Sequence, residues 1–119
     1  MKQRLIYGFL LLFFSPLIGV TQSIKHGFIQ NIICKKDTAQ KYAIYIPASY
    51  DDKKNRTLLI FFDPAGRGDL PVAKYHNLAD RNDVIMVGSY NSSNFNGKSS
   101  TESFIAIYND IVNQYNIDP

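Results

Sequence analysis

The sequence predicts an α/β fold with elements in the order β-β-β-α-β-α, an antiparallel N-terminal hairpin followed by parallel strands joined through crossover helices. Two continuous apolar runs, Thr57 to Phe62 and Val84 to Val87, lack the polar alternation of a half-buried strand, which is the habit of parallel strands covered on both faces. Helical periodicity lies between them and again after the second. Earlier, two aromatic-rich runs are separated by a polar linker of hairpin length, Lys35 to Gln40.

The chain begins with Lys2 and Arg4, then runs apolar from Leu5 to Val20 apart from Gly8, Ser15, Pro16 and Gly19. This pattern reads as a secretory signal over residues 1–23. Its uninterrupted apolar core is shorter than the ~20 residues a spanning helix needs, so no stable membrane anchor is expected. The remaining residues, 24–119, are expected to form one unit, exported to a periplasmic or extracellular space.

Composition narrows the function classes. With 45% hydrophobic and 19% charged residues the chain is globular in type. Of its 13 cationic residues two lie in the leader, leaving 11 against 10 acidic ones. The body is nearly neutral, with no basic stripe to bind nucleic acid. Cys34 is the only cysteine, so no intrachain disulfide exists, and its place after Ile32-Ile33 marks it as a buried small hydrophobe.

The first runs, Gly27 to Cys34 and Tyr42 to Pro47, read as the hairpin, because Pro47 cannot donate to a ladder and so ends its strand. Residues 48–55 are a polar loop. The strand Thr57 to Phe62 is expected at the centre of the sheet, and it breaks into Asp63-Pro64-Ala65-Gly66-Arg67-Gly68. That turn belongs at the carboxyl end of a strand, where ligands bind in open α/β sheets.

Asp69 offers a helix cap and Pro71 fits a first turn; Val72, Tyr75, His76 and Ala79 then recur at helical spacing to about Asp80. After the strand Val84 to Val87, residues 91–100 form a Ser/Asn/Gly loop around Phe95. Ser99 and Glu102 stand at capping-box spacing. Phe104, Ile107, Tyr108, Ile111, Val112 and Tyr115 mark an amphipathic helix of about 16 residues, long enough to cross a sheet. Such a helix is expected to deliver a further strand.

These residues resemble the N-terminal part of secreted bacterial α/β-hydrolases of the feruloyl-esterase and polyhydroxybutyrate-depolymerase type. The likeness spans residues 27–119 and rests on Tyr42 to Tyr50, Leu58 to Gly68 and Val84 to Ser89. It implies a partial α/β-hydrolase sheet in which the strand at Thr57 to Phe62 lies between the strand at Val84 to Val87 and the family's nucleophile strand. It also implies that Ala65 and Gly66 fall where the backbone amides of an oxyanion hole are found, a role that needs small residues beside the substrate carbonyl. Where the family commonly has His-Gly this chain has Asp63-Pro64, and Pro64 has no N–H to donate.

The 119 residues contain no Gly-x-Ser-x-Gly nucleophile elbow. The expectation is therefore an N-terminal fragment of an esterase-like serine hydrolase, without nucleophile, acid or histidine and inactive alone. A small-molecule ester would be its substrate only in a full-length form. Ser89, His76 and Asp63 supply the three residue types of a triad. However, His76 lies on the apolar helix face and Ser89 lacks the glycine spacing of the elbow.

His26 and His76 are the only histidines and have no cysteine or carboxylate at ligand spacing, so no metal is expected. Gly66-x-Gly68 lacks the lysine or further glycine of a phosphate or dinucleotide loop, so no cofactor is expected either. Asp51, Asp52, Asp80 and Asp83 read as solvated acids. Asn55-Arg56-Thr57 and Asn91-Ser92-Ser93 match glycosylation acceptors. A second reading, from another class, is a small exported module that binds a ligand at the strand ends without turning it over.

Overall fold

A computed structural model describes residues 23–94 and 99–119. The leader expected at residues 1–23 therefore lies outside the described residues but for Ser23, and so does Phe95. Six elements follow in order: β1 (Ile29–Ile33), β2 (Lys41–Tyr45), β3 (Leu58–Phe61), α1 (Asp69–Asn82), β4 (Ile85–Ser89) and α2 (Ser100–Val112). Among the described residues no helix is long and apolar enough to cross a membrane.

The strands form one mixed sheet in the order β1-β2-β4-β3. β1 and β2 are antiparallel, with Asn31 opposite Ala43; β2 and β4 are antiparallel, with Ile44 opposite Val87; β3 and β4 are parallel, with Ile60 opposite Val87. Helix α1 connects the two parallel strands, as a crossover must.

Strand alternation divides the core into two layers. Tyr42, Ile44, Ile46, Ile85 and Val87 face α2, where they meet Ile107 and Ile111. Ala43, Tyr45 and Met86 face α1, where they meet Val72 and Ala79. Each helix thus buries one face of the sheet.

The most buried parallel strand is β4, all five of whose residues are buried. The expectation that the Thr57–Phe62 run is the central strand is therefore corrected. β4 inserts between β2 and β3, so β3 lies at the rim, where Leu59 is 42% exposed. Its apolar residues on both faces are real, but they continue the two core layers outward to a sheet edge.

Helix α1 runs two residues beyond Asp80 and stops at Asp83, which adopts the left-handed conformation at φ 57°. Its N-cap is Gly68, with no side-chain cap bond, and Asp69 is the first helical residue. There its charge complements the N-terminal end of the helix dipole. Asp80 and Asp83, expected as solvated acids, do reach solvent, and each also has a partner: Tyr45 Oη donates to Asp80 Oδ2 at 2.7 Å, and Asp83 Oδ2 lies 2.8 Å from Nε of the buried Arg56.

Helix α2 opens with the expected capping box, Glu102 N–H donating to Ser99 Oγ and Ser99 N–H to Glu102 Oε2. It is 13 residues long, and its buried stripe is Ser103, Ile107, Asp110 and Ile111. Phe104 and Tyr108, expected on the core face, are 44% and 37% exposed. Two polar residues take part of the apolar stripe's place because they have buried partners. Tyr42 Oη donates to Asp110 Oδ2 at 2.7 Å, Lys35 N–H donates to Asp110 Oδ1 at 3.0 Å, and Ser103 Oγ donates to Gln40 Oε1 at 3.1 Å.

Candidate functional site

Three chain segments meet at one end of the sheet: the Asp63–Gly68 turn after β3, residues 90–94 after β4, and the residues leading into β2. They meet because β2 runs antiparallel to β4, which puts Tyr42 opposite Ser89. Tyr90 N–H donates to Lys41 O, Lys41 N–H to Asn91 Oδ1 and Asn91 Nδ2 to Ala39 O, locking the β4 loop onto the start of β2. Ser92 Oγ donates to Asp63 O and Asn94 N–H to Pro64 O, fastening the same loop to the β3 turn.

Asp63 organises the turn. Its Oδ2 accepts from Ala65 N–H and Arg67 N–H, both at 3.1 Å, and from Arg67 Nε at 2.9 Å; its Oδ1 accepts from Arg67 Nη2 at 3.0 Å. This bidentate pair, with the donation from the Arg67 backbone behind it, holds the Asp63 carboxyl at about 2, against an ordinary 3.8. The Asp63 carbonyl accepts from Gly66 N–H at 2.8 Å.

The two residues implied for an oxyanion hole, Ala65 and Gly66, thus lie at the carboxyl end of β3 on this turn, and both their amides donate to Asp63. Gly66 has φ +70°, and a Cβ there would stand 2.9 Å from Tyr90 O. The turn therefore requires glycine for both its backbone conformation and its contact with the β4 loop.

Beside the turn, a cleft of about 280 Å³ opens between β3 and the first turns of α1. Phe61, Phe62, Pro64, Leu70 and Tyr75 give it apolar walls, and Lys74 supplies a cation. The Phe61 and Tyr75 rings are stacked, with centroids 5.8 Å apart. Asp63, paired with Arg67, lines the same cleft, so its polar groups carry charges of both signs.

Ser89, His76 and Asp63 are each bonded elsewhere. Ser89 is buried and its Oγ accepts from Asn91 N–H at 3.1 Å. The His76 Nδ1 contacts Ala73 O at 2.8 Å, and its ring packs edge-on against Tyr45, a strand residue opposite Met86 rather than at the Ser89 end. Asp63 is engaged by Arg67. They do not form a Ser-His-Asp relay, and among the described residues no group of His, Cys, Asp or Glu is arranged to hold a metal ion.

Cys34 is buried, as its neighbours suggested, and burial, with Asp110 and Asp37 nearby, pushes its thiol up to about 12. A nucleophilic role at neutral pH is inconsistent with that environment. The sequence marked Asn91 and Ser92 only as part of a glycosylation acceptor; their anchoring role, through Lys41, Ala39 and Asp63, has no local signal. Compared with protein-family models and with curated protein sequences, the chain matches none.

Proposed function

We propose that this chain is the N-terminal part of an exported, esterase-like serine hydrolase, contributing the turn beside the oxyanion site but neither nucleophile nor acid nor histidine. The observation that carries this reading is the strand order β1-β2-β4-β3 with the Asp63–Gly68 turn at the carboxyl end of the rim strand. In the hydrolase arrangement the nucleophile strand lies on the free side of that strand, so its elbow would come up beside Ala65 and Gly66. Because both amides now donate to Asp63, an oxyanion role requires the Asp63–Arg67 turn to release at least one of them.

The test is to read the coding sequence past codon 119. A continuing frame that encodes a strand and Gly-x-Ser-x-Gly supports the reading; a stop with no such remnant in any frame sinks it. These 119 residues assayed alone with a short-chain chromogenic ester are expected to give no turnover above background.

The cleft between β3 and α1 favours a second reading, a binding module that holds a small apolar carbonyl compound against Lys74 without turning it over. Saturable binding of such a compound, lost in Lys74→Ala and unaccompanied by turnover, would favour this alternative.

A further inference from the structure

We infer that the cavity between the β1–β2 linker and α2 is a binding site for a small neutral polyhydroxyl compound, a single sugar ring or a cyclic polyol. It measures about 360 Å³ and lies between Lys36, Asp37 and Gln40 on the linker and Glu102, Ile105 and Asn109 on the helix. That is the small end of the range for ligand pockets and suits one ring. The cavity shares no lining residue with the cleft beside Asp63, and it owes nothing to ester chemistry.

The first ground is Gln40, which lines the cavity and is itself 0% exposed. Its Oε1 accepts from Ser103 Oγ at 3.1 Å, while among the described residues its Nε2 has no hydrogen-bond partner. Buried amides in folded proteins are nearly always paired, because an unpaired one forfeits its hydrogen bonds to water. The groups around it are matched. Tyr42 Oη and Lys35 N–H engage the two oxygens of Asp110, Gln40 N–H donates to Asp37 O, and Gln40 O accepts from Cys34 N–H. The donor left over stands beside the cavity.

The second ground is the mixed chemistry of the walls. Asp37 holds Ala39 N–H through Oδ1 and Glu102 caps α2 through Oε2, so each keeps a second carboxylate oxygen. Asn113 gives its Nδ2 to Asn109 O and keeps Oδ1 as an acceptor. Gln40 Nε2 and the Lys36 ammonium are donors. A hydroxyl both donates and accepts, so a ring that carries several satisfies both kinds of wall.

Charge narrows the class further. Asp37, Glu102 and Asp110 outnumber Lys36 around the cavity, which disfavours an anion. A cation has no lone pair to offer Gln40 Nε2. Ile105, 53% exposed, and Ala106 supply an apolar patch for the C–H face of a ring. Because Gln40 is closed off from solvent, a hydroxyl meets Nε2 only when a wall side chain turns aside, and the exposed Lys36 is the long, flexible one.

NMR titration of the chain tests this, read at the side-chain amide protons of Gln40, with D-glucose, D-galactose and myo-inositol as probes and methylammonium and acetate as charged controls. At least one of the three polyols is expected to shift those protons saturably in the millimolar range or below, and neither control to do so. Gln40→Met, which keeps the length and removes the amide, is expected to weaken the binding about tenfold or more. Asn109→Trp, which fills the cavity from an exposed helix position, is expected to abolish it. Should Gln40→Met fail to fold, Asn109→Trp decides. No saturable shift with any of the three polyols overturns the proposal, as does a buried water on the Gln40 amide that none of them displaces. So do a response to a charged control alone, a shift confined to the cleft beside Asp63, and undiminished binding in either variant.

Discussion

Gly68 and Gly88 lie backbone against backbone where the turn before α1 crosses the end of β4. A Cβ built on Gly88 would stand 1.9 Å from Gly68 O, and one built on Gly68 would stand 2.4 Å from Gly88 O. Neither contact can be relieved by rotating a side chain, because the opposing atoms are main chain. This crossing sets how closely the Asp63–Gly68 turn approaches the loop after β4.

Gly88→Ala is therefore expected to destabilise the chain at or above the upper end of the about 1–3 kcal/mol typical of overpacking. Urea denaturation measures it. A loss below about 1 kcal/mol would mean that the turn is free to lift away from β4.

Tyr42→Phe removes the buried hydroxyl that donates to Asp110 and leaves Oδ2 without that donor. The expected cost is about 1–3 kcal/mol, read as a fall in Tm of about 4–8 °C per kcal/mol for a domain of this size. Tyr45→Phe, which removes the donor to the more exposed Asp80, is expected to cost less. Equal losses would contradict the burial assigned to Asp110.

Cys34 is expected to resist iodoacetamide at pH 8 in the folded chain and to react in denaturant. Its thiol is raised from 9.0 to about 12, chiefly by burial. A raised folded value means that this contribution to stability is complete below about pH 9 and is lost as pH rises toward about 12. Mass spectrometry after timed alkylation checks the first expectation, and denaturation curves over alkaline pH the second.

Asp63 titrates in the opposite sense. Its carboxyl is held at about 2 by the Arg67 side chain and then by the Arg67 backbone, against an ordinary 3.8. A lowered folded value stabilises above about pH 4, and that contribution is lost as pH falls through about 2. Carboxyl-carbon NMR should find Asp63 still ionised at pH 3, and Arg67→Ala should move its titration back toward the ordinary value.

The order and type of the elements were legible before any coordinates because each rests on local chemistry. Ser99 and Glu102 announce the start of α2 by spacing alone, and the capping box forms as written. Pro47 ends a strand because it has no N–H. The hairpin and the two apolar runs follow from period and from linker length.

What the tertiary structure decided is which strand is interior and which face of each helix is covered. Leu58 to Phe61 and Ile85 to Val87 are equally apolar, and nothing local distinguishes a strand with two neighbours from one with a single neighbour. Pairing with β2 put β4 inside and β3 at the rim. Likewise the periodicity of α2 marked Phe104 and Tyr108 as core, but the burial of Asp110 and Ser103 depends on Tyr42, Lys35 and Gln40, all more than sixty positions away. The sequence alone determined the elements, through short-range periodicity and capping. Their order in the sheet, and the hydrogen bonds that spend the Ala65 and Gly66 amides on Asp63, were settled by which groups come together once the chain has closed.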